Sequence, residues 1–443
     1  MNLVGRFQEI ANNIQHCRWD RQRHQQLQHW AKTRYQSASR ACVTRSPHLI
    51  FLCEEFFHPE LRGFGGFGKT VKNITDNLDS PSHELKGGVA YPPAVTTIQT
   101  PECREYHGAP VVMRPYENPP SEATLNRYAD LLVELQPRLM LSIDWYPSYE
   151  VPIHALPDTP LIVWIHDPRD REEWERIAAV PDELRFRGVA SAADLVALTH
   201  EKEQSIKRLF ALQRKLPRKI AFATTARSLI PRAERTYGIG PINAHWLPNP
   251  IDIPPLDTVE QTERPSLLYL GRLDAVKRPW IAFELARRHP DVDFLIAGQA
   301  NNAELMAPWL ARYQHLPNLK LLGHVDGEAK DRLLRTCWAL LNTSVHEAEP
   351  VSFLEAFSYA KCVIACHDPD NAVSNFGYYT GEILGEGLDE HALQSYSQQI
   401  NLCLQGTQER LHRGQSGRDE MLRNHTFESF VKHLSCIMNT ELI

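Results

Sequence analysis

Short apolar runs, each the length of a buried strand and each followed by a stretch of helical spacing, recur along this chain in two series. HLIFLC (48–53), LMLSI (139–143), LIVWI (161–165), DLVAL (194–198) and PRKIAFAT (217–224) make up the first. SLLYLG (266–271), DFLIAG (293–298), LKLLG (319–323), ALLNTS (339–344) and CVIAC (362–366) make up the second. Unbroken apolar strands are buried on both faces, and strands alternating with helices run parallel. The pattern therefore predicts an α/β chain with two doubly wound parallel sheets of Rossmann-like type. Between the series lies LPNPIDIPPLD (247–257), with four prolines in eleven residues. That density excludes a central strand or a helix interior, so the segment reads as a linker between two lobes. Helices are expected at about 278–289, 302–314, 327–336 and 350–360, and the tail from Gln408 to Ile443 reads as mostly helical.

A chain of 443 residues is too long for one ordinary core and fits two domains. We expect a helical extension over 1–46, a first lobe over 47–250, a second lobe over 251–415, and a C-terminal helix over 416–443 returning to the first lobe. In the extension, Leu3, Val4, Phe7, Ile10, Ala11 and Ile14 recur at helical spacing, as do Leu27, Trp30, Ala31, Tyr35 and Ala38. The extension is rich in Arg and Gln. Packing on the first lobe is its plainer role; docking on a membrane surface or partner is the sharper one, since basic amphipathic helices do both.

A net charge of −6 argues against a nucleic-acid binder. No apolar run approaches the roughly 20 residues that span a bilayer, and MNLVGRFQEIANN turns polar too early for a secretory leader. Nine cysteines, an odd number with no C-x-x-C pair, predict reduced thiols and a cytoplasmic protein, with peripheral contact at the inner membrane face if the extension docks there. Cys362, Cys366 and His367 lie close together, but CVIAC reads as a buried strand in which Cys is a small hydrophobe rather than a metal ligand.

Ligands of open α/β sheets sit at the carboxyl ends of the strands. The second lobe opens with GRLDAVKRP (271–279) directly after its first strand, placing Arg272 and Lys277 at that edge. A planar guanidinium fork and a compact ammonium suit a diphosphate, although a solvated surface pair has the same sequence. HEAEPVSFLEAFSYA (346–360) follows ALLNTS. A turn at Pro350 would leave Glu347 at the strand end and Glu355 about a turn and a half into a helix, where a carboxylate can accept both hydroxyls of a ribose. A helix-start acid and a solvated helix residue would read the same way.

Together, G-R-L-x-x-x-K and E-x-x-P-x-x-x-x-E strongly resemble the large family of retaining glycosyltransferases, the family-4 type that includes glycogen and sucrose synthases. LPNPID resembles that family's entry into its second lobe, and FLIAGQA and LKLLGHVDGEAKDRLL its next two strands. The resemblance is strongest over 247–375. It implies the GT-B fold, two Rossmann-like lobes facing a cleft, and transfer of a sugar from a nucleotide-diphosphate sugar with retention at the anomeric carbon. Arg272 and Lys277 would bind the diphosphate and stabilise it as it leaves, and Glu355 would take the ribose. Glu347 would sit beside the reacting carbon, the backbone of Ala348, Glu349 and Val351 would hold sugar hydroxyls, and Val325 would border the base. Ala348 stands where the family often has Gly, and Glu349 where it has an apolar residue, which leaves the donor sugar open.

In the first lobe, RGFGGFGKTVKNITDNL (62–78) resembles the family's glycine-rich loop and helix, with Gly65 and Gly66 allowing close backbone approach. The same stretch, Gly63 through Gly68, Lys69 and Thr70, fits a P-loop, with Asp144 as a Walker-B-like acid, although about nine residues including Pro59 separate it from its strand. His166 and Asp167 at a strand end read as a turn pair; the resemblance makes His166 a residue that positions sugar or acceptor. No metal and no cofactor are expected beyond the donor itself, because two cations do the work. The expected partners are a nucleotide sugar and a carbohydrate, lipid-linked, protein or small-molecule acceptor. Three other functions fit less of the pattern: an epimerase or phosphorylase on the same fold, a P-loop nucleotide hydrolase, and a non-catalytic sugar-nucleotide-binding protein.

Overall fold

A computed structural model describes residues 48–53, 55, 65–78, 87–95, 98–106, 109–115, 121–146, 149–180, 192–213, 219–300 and 302–442. The expected helical extension over 1–46 lies outside the described residues. The chain forms two compact units. The first holds the described residues up to Asp170, Val196–Pro250 and the end of the chain from Phe430. The second holds Arg171–Leu195 and Ile251–Ser429.

The first unit is built on eight strands: β1 (Leu49–Leu52), β2 (Gly87–Val95), β3 (Glu102–Tyr106), β4 (Ala109–Pro115), β5 (Leu139–Ile143), β6 (Leu161–Ile165), β7 (Ile220–Thr224) and β8 (His245–Trp246). Their order in the sheet is β3-β4-β2-β1-β5-β6-β7-β8. Every neighbouring pair is parallel except β3 with β4. Leu161–Ile165 is buried throughout, as a strand covered on both faces must be. Strands β2, β3 and β4 were not expected. GGVAYPPAV contains Gly and Pro, which usually end strands, but Pro92 and Pro93 fall where the β2–β4 register shifts between Ala90 and Ala94, an irregularity that tolerates a residue without an N–H. β3 is the sheet edge, its middle residues exposed, so ECREY carries no apolar run.

One expected strand is corrected. DLVAL (194–198) lies inside the helix Ala192–Gln213. Five apolar-rich residues fit a strand or a buried helix equally well. What decides is the continuation, HEKEQSIKRLFALQ, free of Gly and Pro, with Ile206 and Leu209 buried at helical spacing.

The second unit has six strands: β9 (Ser266–Leu270), β10 (Asp293–Ala297), β11 (Leu319–Gly323), β12 (Ala339–Asn342), β13 (Cys362–Ala365) and β14 (Tyr378–Tyr379). Their order is β11-β10-β9-β12-β13-β14, and all neighbours are parallel. The helices Pro279–Arg288, Ala303–Tyr313, Gly327–Thr336 and Val351–Ser358 connect them. The first begins on proline, whose fixed φ suits a helix start, and buries every residue from Pro279 to Ala286. The proline-rich stretch is irregular, as its composition requires.

The ends of β9 and β10 approach so closely that only glycine fits. Gly271 N–H donates to Ala297 O at 3.1 Å and Leu273 N–H to Gln299 O at 3.0 Å. A Cβ on Gly298 would lie 1.8 Å from Gly271 O. Gly298→Ala must therefore push the 271–273 backbone aside. We expect it to lower the unfolding free energy by about 1–3 kcal/mol, as overpacking does; a denaturant midpoint equal to the parent's would show that the backbone yields freely.

Candidate functional site

The loop after β9 and the loop after β12 are stitched together within the second unit. Val345 N–H donates to Val276 O at 2.8 Å, and the Thr343 hydroxyl reaches Lys277 O at 2.8 Å. The Tyr269 hydroxyl donates to Arg272 O at 2.9 Å from below. Asp274 turns the loop: its carbonyl accepts from Arg278 N–H at 3.0 Å and its carboxylate from Lys277 N–H, also at 3.0 Å. Chain segments some seventy residues apart are thereby locked side by side.

Lys277 and Glu347 meet in this frame. Lys277 Nζ lies 2.6 Å from Glu347 Oε1. The Ser344 hydroxyl donates to the same oxygen at 2.6 Å and Asn342 Nδ2 at 2.9 Å. Burial pushes the Glu347 carboxyl up, but the Lys277 charge and these three hydrogen bonds outweigh it and hold the group down at about 2. Glu347 is thus a fixed anion at neutral pH and no proton donor. His367 lies close by, lowered to about 4 chiefly by burial and so uncharged.

Arg272 projects outward, 52% exposed, with Nε 3.2 Å from Asp274. Glu355 is on the Val351–Ser358 helix, where Oε1 accepts from Lys330 Nζ at 2.7 Å. Pro350 caps that helix without a side-chain hydrogen bond. The N–H groups that open any helix have no intrahelical partner, so those at Val351 and just beyond are donors by construction. Val325 follows β11 and packs partly against the core. The expected residues Arg272, Lys277, Val325, Glu347, Ala348, Glu349, Val351 and Glu355 therefore all follow the carboxyl ends of β9, β11 and β12. Lys277 and Glu347 touch directly, while Arg272 pairs with Asp274 and Glu355 with Lys330.

Three participants escaped the sequence. Arg278 is fully buried. Its Nε donates to Thr343 O at 2.7 Å, Nη1 to Ile383 O at 2.9 Å and Gly385 O at 3.0 Å, and Nη2 to Ser344 O at 3.0 Å. Lys330, on the helix Gly327–Thr336, pairs with Glu355. His346, buried, bonds Glu173 from far upstream. Nothing in a local motif marks any of them.

In the first unit, His166 follows β6 and packs edge-on against Trp164 and Phe67, ring centroids 4.2 and 5.3 Å away. Phe67 is adjacent to Gly66, so His166 and the glycine-rich turn do come together. Burial lowers the His166 imidazole to about 3 against the pull of Asp167, and its Nε2 is buried with no hydrogen-bond partner among the described residues. A neutral ring of this kind can donate or accept a hydrogen bond but is a poor base at neutral pH. The helix Gly66–Leu78 has Lys69 and Thr70 in its first turns, and Gly68 N–H donates to the Glu55 carboxylate at 3.2 Å. A carboxylate thus takes a donor that a P-loop would turn to phosphate. Cys362 and Cys366 donate to separate carbonyls, Arg410 O and Ser344 O, each at 3.1 Å, and burial pushes the Cys362 thiol up to about 12. No cluster of three or more metal-ligating side chains occurs among the described residues, and no described helix is long and apolar enough to cross a membrane.

Residues 256–419 match the family described as "Glycosyl transferases group 1". No curated protein matches the chain. Among solved structures, it is similar to Anabaena HepE in complex with UDP and glucose, at 15% identity and a TM-score of 0.60, covering 89% of this chain and 100% of that one. It is also similar to sucrose-phosphate synthase from Thermosynechococcus elongatus, at 13% identity and a TM-score of 0.65, covering 89% of this chain and 98% of that one. A glycosyltransferase from Rickettsia africae gives 10% identity and a TM-score of 0.62 over 90% of this chain and 99% of that one. These likenesses establish the fold: two parallel-sheet α/β lobes of the GT-B type.

The ionised Glu347 depends on its lysine. Its carboxyl lies below the ordinary 4.5, so its contribution to stability is complete above about 4.5 and is lost as pH falls towards about 2. Lys277→Met removes the countercharge and leaves only the Ser344 and Asn342 hydrogen bonds against burial. We expect it to destabilise the fold by about 3 kcal/mol at pH 7, the cost of an unpartnered buried charge. The difference from the parent should narrow as pH drops below 5. Denaturant melts at pH 7 and pH 4 check this; a pH-independent difference would show that Lys277 does not set the charge of Glu347.

Proposed function

We propose that the chain transfers a sugar from a nucleotide-diphosphate sugar to an acceptor hydroxyl, with retention at the anomeric carbon. The observation that carries the reading is the half-buried Lys277 paired with the buried Glu347 at the carboxyl edge of the second unit's sheet, beside the outward Arg272. A diphosphate leaving group needs positive charge where its negative charge develops, and preorganised cations supply it without reorganisation. In this reading Lys277 and Arg272 hold the diphosphate. The fixed Glu347 anion faces the carbon that becomes electron-poor as the bond to the β-phosphate breaks. The acceptor oxygen bonds to that carbon and passes its proton to the departing phosphate oxygen, so no protein base is required. Glu355 accepts the ribose hydroxyls, Val325 borders the base, and the backbone of Ala348, Glu349 and Val351 holds the sugar.

His166, Gly65 and Gly66 serve in the first unit. Its depressed basicity suits His166 to orienting a hydroxyl rather than taking its proton. HepE, to which the chain is similar, is seen in complex with UDP and glucose and with UDP-glucose, which makes a uridine diphosphate sugar the first donor to try. We further propose that the reaction needs no metal and that the protein works in the cytoplasm, with an acceptor that is a carbohydrate, lipid-linked, protein or small molecule.

The decisive comparison is among three cations. Arg272→Ala and Lys277→Ala should each cut sugar transfer on the order of 10²–10³, and Lys69→Ala should leave most of it. Initial rates with UDP-glucose and a panel of acceptors, with and without EDTA, measure this once circular dichroism shows each variant folded. A reversed ranking, joined to Mg²⁺-dependent triphosphate hydrolysis, would make the chain a P-loop hydrolase.

A further inference from the structure

The helix Arg171–Ala178 comes from the stretch between β6 and β7, yet it belongs to the second unit. Ile177 and Val180 are buried in that unit's core, and Trp174 packs against it. Two of its polar residues reach specific loops. Glu173 Oε2 is hydrogen-bonded to His346 Nδ1, and the two side chains are only 4% and 3% exposed. Arg176 Nη1 lies 2.7 Å from Glu382 Oε1. His346 immediately precedes Glu347. Glu382 immediately precedes Ile383, whose carbonyl takes a bond from Arg278. One short helix therefore grips both loops that Arg278 holds from the interior.

Ile177 and Val180 already anchor the helix, so the polar pair is not needed for docking. What it adds is direction. A carboxylate only accepts, so Nδ1 of His346 carries the hydrogen, and ring orientation and tautomer are fixed together. The His346 backbone in turn sets where the next side chain starts. With Oε1 of Glu347 shared among Lys277, Ser344 and Asn342, a small rotation of this loop would loosen all three bonds at once.

We propose that Glu173 is a positioning residue for sugar transfer, acting through His346 to hold the Glu347 carboxylate against the donor sugar. This rests on the function proposed above. The ribose and diphosphate are assigned to Glu355, Arg272 and Lys277, whereas Glu173 bonds His346, so nucleotide binding should be insensitive to it. The test compares the parent, Glu173→Leu and Glu173→Gln, using UDP-glucose or whichever nucleotide sugar the parent turns over, together with the rise in Tm on adding UDP. For Glu173→Leu, kcat should fall about tenfold or more, the scale of a misplaced catalytic group. Donor KM and the UDP-induced rise in Tm should stay within about twofold of the parent's. Glu173→Gln keeps an acceptor for Nδ1–H and should recover most of kcat. If Glu173→Leu does not fold, His346→Gln carries the same test with the same split. A parental kcat in the leucine variant overturns the proposal. So does a loss in which KM and UDP stabilisation collapse alongside kcat, or a glutamine variant no better than leucine. A parent that turns over no nucleotide sugar defeats the proposed function and this inference with it; an active parent with an unaffected Glu173→Leu defeats this inference alone.

Discussion

The second unit is organised around one buried cation. Arg278 sits at φ 43°, in the left-handed region, with no exposed surface. For an L residue that backbone costs roughly 1–2 kcal/mol. The guanidinium offsets it by donating to four carbonyls, Thr343, Ser344, Ile383 and Gly385, and hydrogen bonds involving a charged group are worth about 1.5–3 kcal/mol each. These carbonyls belong to the loops after β12 and β14, and Arg278 itself ends the loop after β9. Loop backbone is otherwise the least constrained part of an α/β unit. Here a rigid planar fork fixes three loops from within, which a flexible lysine with a point charge would not do. The placement of Lys277 beside Glu347 follows from it.

Burial acts on Glu347 and His166 alike, disfavouring the charged form of each, yet the outcomes are opposite. Glu347 has an ammonium, a hydroxyl and an amide on one oxygen, so its anion survives. His166 has aromatic rings against it, and its proton is lost. The partners decide, not the depth. The consequence is chemical: a stable anion can stabilise an electron-poor carbon, and a neutral imidazole can orient a hydroxyl, but neither shuttles protons near neutrality. That division suits a reaction whose leaving group is itself an adequate base.

Much of this was legible because it is local. Apolar runs such as LIVWI and SLLYL are strands whatever surrounds them, and G-R-L-x-x-x-K or E-x-x-P-x-x-x-x-E can be seen within single loops. Glu347 and Lys277 both stand inside such motifs. The failures have local causes too. DLVAL is short enough to obey either period, and its helical continuation outweighs it. GGVAYPPAV carries residues that normally end strands, and it survives in the sheet through an irregular register around Pro92 and Pro93.

What no motif reveals is a side chain whose meaning lies in a distant carbonyl or ring. The bonds of Arg278 span 65 to 107 residues, and Glu173 is 173 residues from His346. In sequence, Glu173 is one acid in REEWERIA, next to two others, and each would serve equally well as a solvated helix face. Glu172 and Glu175 do take that role, pairing with Arg176 and Arg171 along the helix surface. Only the packing of Ile177 and Val180 into the second unit decides which of the three acids is turned inward. The identity of the inward acid is thus a property of the docked helix. It becomes visible once the apolar stripe has chosen its partner surface, because helical periodicity then leaves Glu173, four residues before Ile177, on the stripe's own face.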